Sequence, residues 1–160
     1  MIYKLLLFSI LFFTFIIKTK QVEKKIYIKE YYDSGVLKAE GWQQDGLKEN
    51  YWIYYYSNKS VSEKGHYLRG KSNQYWFSYS KDGSLLKEGT FDNGLENGWW
   101  VFYEGDNIEK VKFHNGLKEG YALIYKNNQL KKAEKYLHNN KIGEWTSLIK
   151  FKNDNPEVRF

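Results

Sequence analysis

The sequence predicts an all-β protein, an elongated antiparallel meander of tandem β-hairpin repeats preceded by an N-terminal apolar segment. Three observations carry that expectation. Tyr, Phe and Trp make up 19% of the 160 residues, beside 13 Gly and a single Pro, and this composition favours strands and turns over helices. Sliding the chain against itself aligns Gly41, Gly65, Gly89, Val111 and Glu134, so a unit recurs every 22 to 24 residues. Within each unit a turn dipeptide separates runs of alternating side chains. At about 4.8 Å between neighbouring strands, eleven such strands would span roughly 50 Å.

Taken in chain order, the first element is residues 1–20. Lys4 precedes thirteen uncharged, nearly all apolar residues, 5–17, and Lys18 and Lys20 follow them. That length fits the roughly 7–15 apolar residues of a secretory signal and falls short of the roughly 20 that span a bilayer as a helix. Export to the periplasm, envelope or medium is the expectation. No small-x-small cleavage site follows Ile17, and Lys18, Lys20, Lys24 and Lys25 place more positive charge after the apolar run than before it. A retained membrane anchor is therefore the alternative, and an apolar first strand of a cytoplasmic protein is the third reading.

Residues 21–151 are read as the repeats. Segment 26–40 is a half unit whose strand, 26–32, caps the start, and full units begin at Gly41, Gly65, Gly89, Val111 and Glu134. Five residues into the units stand Gly46, Gly70, Gly94, Gly116 and Asn139, and eleven residues in stand Trp52, Trp76, Trp100, Ala122 and Trp145. The pairs Asp45-Gly46, Arg69-Gly70, Asn93-Gly94 and Asn115-Gly116 can adopt the positive φ of a tight reversal, and Asn139 is the next most tolerant residue. A second reversal, around 33–35, 58–59, 82–83, 105–107 and 127–128, absorbs all variation in unit length. The strand runs between turns are 36–42, 51–56, 61–67, 75–80, 85–91, 99–104, 108–113, 121–126, 130–137 and 144–151. A polar tail, 152–160, ends the chain.

Alternation assigns the faces of the aromatic strands. Tyr51, Ile53 and Tyr55, and their equivalents through Tyr75, Phe77, Trp99, Val101, Tyr121 and Leu123, share one face. Trp52, Tyr54, Trp76, Trp100 and Phe102 share the other, and Trp145 belongs with them by repeat position. These six are the candidate binding surface, because a one-layer sheet cannot bury both faces and an exposed aromatic row marks an interaction site. The competing reading makes the Trp column structural, as large half-buried residues in sheets are.

Charge and chemistry narrow the function classes. The net charge is +6, and without Lys4, Lys18 and Lys20 it falls to +3, with basic and acidic residues interspersed rather than gathered on one face. No nucleic-acid partner is expected. The chain has no Cys, which removes disulfides and thiol chemistry. His66, His114 and His138 fall at different unit positions and share no metal-binding spacing. Glu40 and Glu88 alternate with Lys64 and Lys110 at one unit position, a pattern that reads as cross-strand charge pairing rather than as an acid/base pair. No catalytic residue, metal or cofactor is predicted, and no enzyme.

The unit Gly89-Thr90-Phe91-Asp92-Asn93-Gly94-Leu95-Glu96-Asn97-Gly98-Trp99-Trp100-Val101-Phe102-Tyr103 resembles the bacterial variant of the MORN repeat, including the set often labelled antitoxin-like, over roughly residues 30–150. Asn50 and Gln74 stand where later units have Gly98, Gly120 and Gly143. The resemblance implies an elongated hairpin repeat that serves as a protein-binding or scaffolding module. The function expected is a non-catalytic interaction or scaffold module of the cell envelope. A carbohydrate or cell-wall binding module is the alternative, since Gly41-Trp42 and Tyr51-Trp52-Ile53-Tyr54-Tyr55 also resemble choline- and glucan-binding repeats. An antitoxin-like component is the second alternative.

Overall fold

The computed structural model describes residues 24–158. The apolar segment 1–20, with its expected role as signal or anchor, lies outside the described residues. The others form one sheet of eleven strands: β1 (Ile26–Tyr31), β2 (Leu37–Gln44), β3 (Leu47–Tyr55), β4 (Val61–Leu68), β5 (Lys71–Tyr79), β6 (Leu85–Asp92), β7 (Leu95–Glu104), β8 (Asn107–His114), β9 (Leu117–Lys126), β10 (Gln129–Leu137) and β11 (Asn140–Trp145). Strand order in space is strand order in sequence, and every pair is antiparallel. The expected meander of hairpins is the fold, and the half unit at its start is β1.

The tight reversals are two-residue loops in which both residues take positive φ, from Asp45-Gly46 at 51° and 75° to His138-Asn139 at 48° and 67°. This is the type I′ geometry, whose twist matches that of the flanking strands. The tips are tied to one another. The backbone N–H of Gly70 donates to the Lys48 carbonyl at 2.8 Å, and Gly94, Gly116 and Asn139 repeat the bond to Ser72, Glu96 and Lys118.

The second reversals explain the variable unit length. Tyr56 and Ser60 close a three-residue loop, with Tyr56 N–H donating to Ser60 O at 2.8 Å and Lys59 N–H to Tyr56 O at 2.9 Å, and one further residue is skipped where Tyr54 pairs with Glu63 but Tyr55 with Val61. Gly105-Asp106 makes a two-residue loop with no skipped residue, and Asn127-Asn128 a two-residue loop with one. Loop and skip together produce the longer, shortest and intermediate units.

Two sequence expectations are corrected here. The strands do not stop short of the tight turn at positions such as 42 and 51 but run through to it, because the Gly98 column lies in mid-strand bulges. Gly41 pairs with Trp52 whereas Trp42 pairs with Glu49, so two residues of β3 oppose none of β2. The bulged strands β3, β5, β7 and β9 hold Asn50, Gln74, Gly98 and Gly120 at φ 56°, 61°, 78° and 100°. Asn and Gln thus take the same left-handed conformation as the later glycines. A bulge of this kind bends a strand and sharpens its twist.

The second correction is at the C-terminus. The run 144–151 and the tail after it are not strand and coil: β11 ends at Trp145, and a helix, α1 (Leu148–Asp154), follows. Ser147 caps it, its hydroxyl accepting the Lys150 N–H. The helix lays Phe151, fully buried, over Leu123 and Ala133, with Tyr121, Tyr125, Leu130, Trp145 and Val158 around them. One end of the sheet therefore has a second layer.

Candidate functional site

The glycine and tryptophan columns meet in one row across the sheet. Gly41 pairs with Trp52, Trp52 with Gly65, Trp76 with Gly89, Trp100 with Val111 and Val111 with Ala122. Each indole lies flat on the glycine of the strand before it. A Cβ built on Gly41, Gly65 or Gly89 would stand 2.4, 2.2 or 2.3 Å from the ring of Trp52, Trp76 or Trp100. The indole N–H groups donate to the carbonyls of Trp42 at 2.8 Å, His66 at 3.1 Å and Thr90 at 3.0 Å. Where the fourth unit replaces Gly by Val111, it replaces Trp by Ala122, and the row stays filled.

Trp52, Trp76 and Trp100 are 0%, 6% and 2% exposed. The expected aromatic ribbon on this face is therefore a core row, with Trp76 the least covered of the three rings. Tyr54 and Phe102 are half-buried beside it, stacked on Trp52 and Trp100 at 6.0 and 6.3 Å between centroids.

Trp145 does not belong to that row. The β10–β11 register shifts by one residue where the earlier pairs shift by two, so Glu134 faces Glu144 and Trp145 pairs with Ala133. A one-residue slip sends a side chain to the opposite face. There the Trp145 ring lies 5.3 Å from Phe151 of α1, and its N–H donates to Asp154 at 2.8 Å.

The opposite face carries the exposed aromatics. Tyr51, Tyr75 and Trp99, one residue before each tryptophan of the core row, are 37%, 42% and 42% exposed, and Tyr27 and Trp42 extend their row, 5.2 Å apart edge to face. The fourth member of the column, Tyr121, lies under α1: Phe151 meets its ring at 5.5 Å, and its hydroxyl lies within hydrogen-bond distance of Asn155 Oδ1 at 2.8 Å and Glu157 Oε1 at 2.7 Å. The sequence alternation groups these side chains on one face, whereas the expected binding surface falls on the other. The signal that distinguishes them is the glycine column, which leaves the tryptophans a bed to lie in.

Beside the exposed row runs the alternating charge column, and its partners differ from expectation. Glu40 meets Lys29 at 3.5 Å, but otherwise the charges are partnered by tyrosines rather than by one another. Tyr55 donates to Glu40 at 2.7 Å and Tyr103 to Glu88 at 2.6 Å. Lys64 stands 5.2 Å from the Tyr79 ring centre and Lys110 5.3 Å from that of Tyr125. One repeat separates like positions of opposite charge, too far for direct pairing, whereas a tyrosine reaches each within its own hairpin. The bond from Tyr55 holds the Glu40 carboxyl below its ordinary value. Desolvation, and then the bonds to Glu40 and Glu88, push the Tyr55 and Tyr103 phenols up to about 12.

The histidines stay apart. His66 packs edge-on to Tyr51, His138 sits in the last tight turn 3.7 Å from Glu119, and among the described residues no three His, Asp or Glu side chains converge. Comparison with known protein families and with curated proteins finds no match to this chain.

Proposed function

We propose that this is a non-catalytic docking protein of the MORN-repeat type, which holds a partner protein on the exposed aromatic row of Tyr51, Tyr75 and Trp99. The observation that carries the reading is α1. The same column, one repeat further on, is covered by a helix that buries a phenylalanine on Tyr121 and satisfies its hydroxyl. The preceding three positions offer the same ring column, each beside a tyrosine and a charge that alternates between Glu and Lys, and large exposed aromatics concentrated on one face are the usual anchors of a protein interface.

The envelope is the proposed place of work, on the strength of residues 5–17. Cell fractionation checks it, and full-length protein in the cytosol would reject it.

The docking reading is tested by recovering bound material from envelope extract with the wild-type chain and with Tyr75→Ala and Trp99→Ala, each with and without glycan-degrading treatment. Capture of a defined protein that survives the treatment and is lost in the variants supports it. Binding that disappears with the glycan transfers the row to the carbohydrate-binding reading.

A further inference from the structure

The tryptophan face has one position where the repeat breaks, and the break leaves a cleft. Two residues after each tryptophan of the core row stand Tyr54, Ser78 and Phe102. In the first unit the Tyr54 ring stacks on Trp52 at 29°, and its hydroxyl bonds Lys48 Nζ and the Tyr67 hydroxyl, both at 2.8 Å. In the third unit the Phe102 ring stacks on Trp100 at 30°. The second unit has the tryptophan but no ring of its own upon it, and Trp76 is met instead by Tyr54 of the first unit at 6.5 Å, tilted by 31°. Ser78 lies instead between Glu63 and Lys87 of the adjacent strands, and Ser72 replaces Lys48.

The resulting cleft measures about 120 Å³, and aromatic rings of Tyr67, Trp76, Phe91 and Trp100 line it. It compares with the roughly 150 Å³ engineered apolar cavity that takes up benzene. Phe91 and Tyr67 both stand edge-on to Trp76, at 5.9 and 5.0 Å, as Tyr67 stands to Trp52 beneath Tyr54. Of the three core tryptophans, Trp76 is the most exposed.

We infer that this cleft is a socket for a single tyrosyl side chain of a partner protein, seated on Trp76 as Tyr54 is seated on Trp52. The neighbouring units define the occupant: a six-membered ring at the Ser78 position, stacked on an indole and met edge-on by the next aromatic. Glu63, Ser72 and Lys87 supply polar groups at the rim for a phenol hydroxyl, with Phe91 in the position of Tyr67 and Ser72 in that of Lys48. A ring entering here replaces water against aromatic surface and gains the geometry that aromatic pairs prefer. The socket lies on the face opposite the exposed row, so it stands independently of the docking proposed there.

The test follows the assigned indole N–H resonance of Trp76 while four probes are added: N-acetyltyrosinamide, N-acetylalaninamide, methyl β-glucoside and tetramethylammonium. The result expected is a saturable shift with the tyrosine derivative alone, leaving the Trp52 indole resonance in place. Ser78→Tyr should abolish that shift and raise the melting temperature by filling the cleft from within, whereas Ser78→Ala should retain the shift. No saturable response to the tyrosine derivative, or an equal response to the alanine control, overturns the proposal. A response confined to the glucoside or to the ammonium assigns the cleft to sugars or cations and overturns it as well. The wild-type titration decides the matter even if Ser78→Tyr fails to fold. Loss of extract binding in the Tyr75 and Trp99 variants with an unaltered Trp76 titration separates the two proposals.

Discussion

At the scale of single residues, the molecule is organised by size matching between glycine and tryptophan. Trp100→Ala should cost about 3–5 kcal/mol, the range for removing a buried aromatic ring. Gly89→Val drives a side chain into the space of the Trp100 ring and should cost about 1–3 kcal/mol or more. The two together recreate the Val111 and Ala122 pair of the fourth unit, so the double variant should lose less than the sum of the single losses. Denaturant melts of the three variants form the cycle that checks this, and strict additivity would contradict the matched row.

Glu134 stands at the end of that row and makes stability sensitive to acid. It is buried against ionisation, yet Lys132 at 2.7 Å, the Tyr136 hydroxyl at 2.6 Å and Lys141 at 3.4 Å outweigh the burial and hold its carboxyl at about 2, below the ordinary 4.5. A carboxyl depressed on folding contributes its stability above the unfolded value and loses it as pH falls through the folded one. Melting temperature should therefore drop between about pH 4.5 and 2, and Glu134→Gln should flatten the drop. An unchanged acid profile in the variant would assign the acid sensitivity to other carboxyls.

At the scale of elements, the mid-strand bulges are where sequence and structure part company in an instructive way. The repeat, its two turns and the alternation of faces were legible because each rests on a local pattern: a turn dipeptide, a period of two, a column of rings. The bulges were not, since a glycine column four residues after the turn glycine reads as part of the turn, and only the pairing of Gly41 with Trp52 beside Trp42 with Glu49 separates them. Trp145 was misplaced for a related reason. Counting columns assumes the same bulge in every hairpin, and the last hairpin shifts by one residue instead of two.

The helix was missed because Ser147 and the seven residues after it are too short a stretch for helical periodicity to show. The bulges can be tested directly. Gln74 holds φ 61° without being glycine, so Gln74→Gly should stabilise by about 1 kcal/mol, and Gln74→Val should destabilise. Chemical denaturation measures both, and a neutral Gln74→Val would remove the strain argument.

On the scale of the whole molecule, each strand pairs only with the strand before and the strand after it. Stability is then close to a sum over neighbouring hairpins, and damage stays local. Phe151→Ala should therefore loosen β9, β10 and β11, where α1 packs, while leaving β1 to β5 as they are. Amide hydrogen exchange by strand measures the spread, and an equal rise across all eleven strands would refute the local picture.

The coincidence of spatial and chain order bears finally on how such a molecule is made. A chain leaving the ribosome N-terminus first can close β1 on β2, then add each hairpin to a finished edge, with no strand waiting for a distant partner still to be synthesised. Until the last hairpin emerges, the growing edge is always an open strand, ready to accept the next one. Segment 146–158 follows β11, and its helix folds back over the neighbouring hairpins rather than extending the row. In α1 the chain thus leaves the hairpin pattern, and one duplicated unit inserted among the strands before it would lengthen the row without altering β1 or the α1 layer.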